Sequence, residues 1–172
     1  MSRSRLPLAL MIGCALGCAT PTAPAPRTFG LEATLDHVHP DGLLRNPTFS
    51  QVVIARNVSE LAFISGQTAI QMDGSVPGVG QLDLQIQAAL ANLDRALTAV
   101  GARKRDVVNL RVYVVDYDPA DLEMIADELR FFFETDEMPA STYSGVNALY
   151  NPDLLFQVDA VVAVPASAAA AR

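Results

Sequence analysis

Cysteine is missing from almost the whole chain: its two cysteines, Cys14 and Cys18, both lie within the first 18 residues. The remainder therefore has no disulfide, no cysteine nucleophile and no thiolate metal ligand. Histidine is equally scarce, limited to His37 and His39. Two residues apart on an extended segment they share a face, and Asp36 and Asp41 beside them suggest a metal site, but no further Cys or His exists to complete a tetrahedral set. A solvated His-x-His loop is the expected arrangement. Lysine occurs once, as Lys104, in a chain of net charge −7. That balance opposes a nucleic-acid partner, because phosphate-backbone binding draws on clustered Lys and Arg. Beyond residues 1–17 no apolar run is long enough to span a bilayer, so the folded part is expected to be soluble.

What remains is globular in composition. A hydrophobic content of 51% with 18% charged residues is far from disorder, and 172 residues suit one domain with a real core better than two. Residues 1–17 have the three parts of an export signal: basic Arg3 and Arg5, an apolar run from Leu6 to Leu16, and small residues before a cysteine. Ala15-Leu16-Gly17-Cys18 resembles the bacterial lipobox, which implies a lipoprotein-type signal over 1–17, lipidation of Cys18 and a Pro/Ala-rich tether over 18–30. The alternative is an ordinary signal cleaved near Ala19. On either reading the protein is exported, to the bacterial periplasm or outer membrane, and on the first the lipid at Cys18 is its sole membrane attachment.

The folded domain is expected over 31–165, with an Ala-rich tail over 166–172. Residues 28–46 read as irregular with one short strand from Leu31 to Val38. Ser50 to Arg56 and Glu60 to Gly66 are β-rich runs around Asn57-Val58-Ser59, which predicts a hairpin. Leu82, Ile86, Leu90, Leu93, Leu97 and Val100 form one apolar stripe on a helix that Gly101 ends. Val107 to Val115 alternates as a strand, with Leu110, Val112 and Val114 on one face and Asn109, Arg111, Tyr113 and Val115 on the other. Asp118-Pro119 opens a second helix carrying Leu122, Ile125, Leu129, Phe132 and Phe133 and ending near Thr135. Residues 138–164 then read as two strands around the turn Tyr150-Asn151-Pro152-Asp153, a hairpin or close neighbours.

Right-handed crossovers place both helices on one face of the sheet. The last strand is nevertheless apolar on both sides, since Leu155 and Val161 alternate with Phe156, Val158, Ala160 and Val162. Leaving the second face in water would expose a large apolar patch, so it is expected to pack against another copy of the chain. The polar groups suited to a small-molecule site, Ser141, Thr142, Tyr143, Gln157 and Asp159, concentrate in the last two strands. Ser65-Gly66-Gln67 either faces a ligand or simply ends its strand with a bulge.

Asn46-Pro47-Thr48-Phe49-Ser50-Gln51, Phe63-Ile64-Ser65-Gly66-Gln67, Leu90-x-Asn92-Leu93, Val112-Tyr113-Val114-Val115-Asp116 and Pro139-Ala140-Ser141-Thr142, in this order over about residues 46–164, resemble the reactive intermediate deaminase (Rid) family. The resemblance implies a chorismate-mutase-like α/β fold (two-layer α+β), with two helices on one face of a mixed sheet. It also implies a homotrimer whose sheets close into a barrel, with small-molecule sites between subunits. Well-studied members hydrolyse imines or enamines and need no metal or cofactor.

In those members an arginine after the Pro-Ala of the penultimate strand grips the substrate carboxylate, and a glutamate on the last strand handles the attacking water. Here these positions are Ser141 and Gln157, a tyrosine position is Phe49, and a helical asparagine position falls near Ala126. Serine supplies neither the charge nor the fork of a guanidinium, and Gln157 cannot take a proton at neutral pH. Asp159, on the same face as Gln157, is the nearby substitute base or else a paired carboxylate. Arg111 either replaces the lost cation or makes an interface salt bridge. By this reading Asp159 and Gln157 stand at the catalytic positions, and Phe49, Ser65, Gly66, Ser141, Thr142 and Tyr143 at the substrate-binding ones. The expected function is a small-molecule site at the subunit interface, with hydrolysis of an imine- or enamine-type metabolite implied by the resemblance alone because the usual arginine and glutamate are replaced. The alternative is a non-catalytic, small-metabolite-binding trimer in the cell envelope. Ribonuclease activity, attached to some members, is opposed by the acidic balance.

Overall fold

The computed structural model describes residues 32–166. The export signal, Cys18, the tether and all but the first residue of the Ala-rich tail lie outside the described residues. Six strands and two helices follow in the order β1 (Thr34–Val38), β2 (Val52–Arg56), β3 (Glu60–Gln67), α1 (Leu82–Ala99), β4 (Val107–Val115), α2 (Leu122–Phe133), β5 (Ala140–Val146) and β6 (Phe156–Val164).

The helices form where the apolar spacing placed them. Ile86, Leu93 and Leu97 of α1 and Ile125 and Leu129 of α2 are 0–1% exposed and meet Leu110, Val112, Phe156 and Val158 in one core. Gly101, at φ 70°, ends α1, with its N–H donating to the Thr98 carbonyl and that of Ala102 to the Leu97 carbonyl. This pair of bonds closes the helix at a left-handed position that glycine adopts without a Cβ penalty. At the start of α2, Asp118 accepts from the Ala120 N–H at 2.9 Å while Pro119 opens a single 3-10 turn.

Strand order departs from the hairpins that the sequence suggests. The main sheet runs β3-β6-β4-β5, with β6 antiparallel to both neighbours and β4 parallel to β5. Thus β2 pairs with β1 in a separate two-stranded sheet rather than with β3, and β5 and β6 are parted by β4. β6 offers a reason: Val158, Ala160 and Val162 are 0–2% exposed, so it is stable only with a strand on each side and helices over one face. Leu155 and the turn before it give the chain length to pass over β4. Within that turn Asn151 Oδ1 accepts from the Asp153 N–H at 2.8 Å, the local bond expected of an Asn-Pro-Asp sequence.

Both helices cover the face bearing Leu110, Val112 and Val114. The opposite face carries Asn109, Arg111, Tyr113, Gln157, Asp159 and Val161, and its β3 edge leaves Leu61 51% and Phe63 76% exposed.

Candidate functional site

Ser65 and Gly66 sit in a β-bulge. Ile64 pairs with Ala160 and Gln67 with Val158, so two residues of β3 oppose the single residue Asp159 of β6. A bulge turns an extra residue toward one face. Here Gly66 faces Gln157, and a Cβ at position 66 would stand 2.4 Å from Gln157 Cδ. Asn92 of α1 holds the segment after β3, its Nδ2 donating to the carbonyls of Thr68 at 2.7 Å and Ile70 at 3.0 Å.

Asp159 is 8% exposed and accepts from Arg111 Nε at 2.8 Å, across registered positions of β4 and β6. The hydrogen bond and charge of Asp159 hold the Arg111 guanidinium above its ordinary pKa. Ser65, Gly66, Gln157, Asp159 and Arg111 therefore form one cluster on the helix-free face, with Thr142 registered beside Arg111 on β5.

Phe49, Ser141 and Tyr143 form a second cluster. Ser50 straps the segment before β2 along the free edge of β5: its N–H donates to the Pro139 carbonyl at 3.2 Å and its Oγ to that of Met138 at 2.6 Å. His37 Nδ1 reaches both Ser50 Oγ and the Met138 carbonyl at 3.0 Å, so this histidine is a structural tie and not part of a solvated loop. No group of three or more His, Cys, Asp or Glu able to hold a metal occurs among the described residues. Asn46 Oδ1 accepts from the N–H of Thr48 at 2.8 Å and its Oγ1 at 2.6 Å, which shapes the Asn-Pro-Thr-Phe turn.

That turn, the edge of β5 and one side of α2 enclose a cavity of 690 Å³. Phe49, Val114, Tyr117, Leu122 and Ala126 give it apolar walls, and Glu123, Arg130 and Tyr143 supply its polar groups. The Tyr143 hydroxyl is buried beside the Thr48 side chain. Burial pushes its phenol up to about 12, against the pull of Thr48 and Arg130. Ser141 turns back on its own strand, its Oγ donating to the Pro139 carbonyl at 3.1 Å. A second cleft of 690 Å³, between α1 and α2, contains none of the candidate catalytic or substrate-binding residues. Lys104 occupies it, with Nζ 4.5 Å above the Phe132 ring and 3.9 Å from Glu134.

The two clusters do not meet within one chain. β3 and β5 stand three strand spacings apart in the sheet, about 14 Å at the usual 4.8 Å per strand. Ser141 and Tyr143 also alternate with Thr142, so they point to the helix side while Asp159 and Gln157 point away from it. Sequence reasoning missed Glu123 and Arg130 because a charged residue on a helix reads as solvated surface. It also missed Gln85, a polar residue beside the apolar stripe that is 0% exposed.

The sequence profile of the endoribonuclease L-PSP family matches residues 44–164. A conserved Rid-family protein of unknown function from Yersinia pestis is 34% identical, with a TM-score of 0.72 over 75% of this chain and 98% of that one. A member of the YjgF/YER057c/UK114 family from Mycobacterium tuberculosis is 26% identical, with a TM-score of 0.50 over 67% of this chain and 86% of that one. TdcF from E. coli, solved with bound serine, shares the fold at 21% identity, with a TM-score of 0.53 over 61% of this chain and 81% of that one. No curated protein matches the chain.

Proposed function

Because the chain belongs to the endoribonuclease L-PSP, or Rid, family, we propose that it binds a small metabolite in clefts formed between copies of itself, as a homotrimer. The separation of the two clusters carries this reading. Ser65, Gly66 and Gln157 lie on one face and Phe49, Ser141 and Tyr143 on the other, so only a second copy can bring the two sets to one ligand. The exposed Leu61 and Phe63 beside the first cluster supply apolar area for such a contact. Sedimentation of the purified protein at micromolar concentration tests it: a trimer is expected, and a monomer overturns it.

Hydrolysis of an imine or enamine is a second reading, favoured by Asp159 opposite the Ser65-Gly66 bulge. Water adds to the C=N carbon, and the carbinolamine then expels ammonia to leave a carbonyl compound. The step needs a group that takes a proton from water and returns it to nitrogen. Asp159 is the carboxylate at hand, already engaged by Arg111 at 2.8 Å. This engagement makes binding without turnover the better-supported of the two. If 2-iminobutanoate decays in the presence of the protein at the buffer rate, its deamination is excluded. The net charge of −7 opposes the ribonuclease activity in the family's name.

Export with lipidation at Cys18 belongs to the same proposal and rests on Ala15-Leu16-Gly17-Cys18. The membrane fraction is expected to retain the protein and to lose it with Cys18→Ala. Release of both forms into the soluble fraction would leave the ordinary signal.

A further inference from the structure

The cleft between α1 and α2 shares no lining residue with the cavity beside β5. Leu90 of α1 and Phe131 and Phe132 of α2 give it apolar walls, and Phe131 is 80% exposed. Four carboxylates, those of Asp94, Asp127, Glu128 and Glu134, line it too, against a single basic lining residue, Lys104. Asp127 pairs with Arg130 at 2.7 Å and Glu134 with Lys104 at 3.9 Å. Glu128 accepts from a neutral donor, Gln87 Nε2, at 2.9 Å, and Asp94 has no partner among the described residues. Two negative charges are therefore left without a cation. The helices add to them. β3, β4 and β5 run in one direction, so α1 and α2, which link them, bring their negative C-terminal ends to the same side, and the last turn of α1 has no basic residue. Lys104 shows what such a cleft accepts, since its ammonium stands 4.5 Å over the Phe132 ring.

We propose that this cleft docks a basic amphipathic helix of a partner protein, with apolar side chains against Leu90 and Phe131 and Lys or Arg side chains toward Asp94 and Glu128. A groove between two helices takes a third by its apolar face, and an aromatic ring at its centre supplies the anchor. Charge complementarity selects the occupant. A second copy of this chain, at net charge −7, brings like charge to the carboxylates. A small polycation answers the carboxylates but leaves the Phe131 ring in water. The cleft lies on the helix side of the sheet, whereas the trimer packs through the helix-free face, so it stays open in the assembly. Docking here therefore stands or falls independently of the metabolite site.

Fluorescence anisotropy of the purified protein at physiological salt is the test, with a labelled amphipathic helix built of leucine and lysine as the probe. This peptide is expected to bind, and its counterpart with glutamate in place of lysine is not. Asp94→Lys and Phe131→Ser are each expected to weaken binding at least tenfold, with circular dichroism unchanged because both side chains are exposed. Asp41→Lys makes the same change of charge at an exposed position away from the cleft and is expected to weaken binding less than threefold. No binding of the peptide overturns the proposal. Equal losses from Asp94→Lys and Asp41→Lys, which mark general attraction to an acidic protein, overturn it too, as does binding unaffected by Phe131→Ser. Spermine bound as tightly as the peptide would give the cleft to a small polycation instead. A sedimenting mass above the trimer that Phe131→Ser reduces would give it to a second copy.

Discussion

Gln157 lies flat against Gly66: a β-carbon at position 66 would stand 2.4 Å from its Cδ and 2.5 Å from its Nε2. Glycine is favoured there by the side chain opposite and not by the backbone, because position 66 is outside the left-handed region. Gly66→Ala must displace the Gln157 amide, the far end of a flexible side chain, at a cost at the low end of overpacking, about 1 kcal/mol. The double variant Gly66→Ala with Gln157→Ala removes the clash and is expected to recover at least half of that loss. Urea unfolding of the four proteins in this cycle reads the coupling. Additive losses would show that the two residues do not press on each other.

Gln85 ties the middle of the chain to the approach to β6. Its Nε2 donates to the Asp153 carbonyl at 2.7 Å and the Gly78 carbonyl at 3.2 Å, and its Oε1 accepts from the Leu155 N–H at 2.8 Å. Gln85→Ala leaves these backbone groups without partners in a site closed to water. The expected loss is about 2 to 4 kcal/mol, read as a lower urea midpoint. Gln85→Glu keeps the acceptor but loses the two donated bonds, and is expected to recover little of it.

Tyr143 predicts how stability responds to alkali. Burial raises its phenol from 10.0 to about 12 in the folded chain. Between these values the unfolded chain has lost the proton and the folded chain keeps it, so stability falls as pH rises through this window. The decrement is about 2 to 3 kcal/mol across the two units. Tyr143→Phe is expected to remove it, seen as a smaller drop in unfolding free energy between pH 9.5 and 11.5 than in the parent protein. Equal drops in both proteins would place the titration elsewhere.

Phe63 separates folding from assembly. It is 76% exposed, so Phe63→Glu is expected to change the stability of a single chain by no more than about 0.5 kcal/mol. In a trimer packed through this face the same change buries a charge without a partner. Sedimentation is expected to show monomers for the variant, with circular dichroism unchanged.

Arg111 and Asp159 show how far a sequence carries such a site. Alternation along β4 and β6 places them on one face but leaves both readings of Arg111, substitute cation or salt bridge, open. Register resolves the partner: Arg111 stands opposite Asp159, and the ion pair at 2.8 Å forms within one chain. Glu123 and Arg130 are illegible for a different reason. A cavity wall is made by elements distant in sequence, here the turn at Asn46, the edge of β5 and α2, and no local pattern records that they meet.

The sequence by itself determined the local elements. Apolar residues at helical spacing fix α1 and α2, alternation fixes β4, a continuous apolar run after a turn fixes β6, and Gly101 and Asp118-Pro119 mark helix ends, because each effect acts over a few bonds or one helical turn. Tertiary structure decided strand order: β6 takes the place between β3 and β4, since a strand apolar on both faces gains most from a partner on each side. That choice parts β2 from β3 and β5 from β6. It also sets Ser65 and Gly66 on one face and Phe49 and Tyr143 on the other. Which side chains share a ligand is thus a property of the long-range packing, settled only once the sheet has closed over its core.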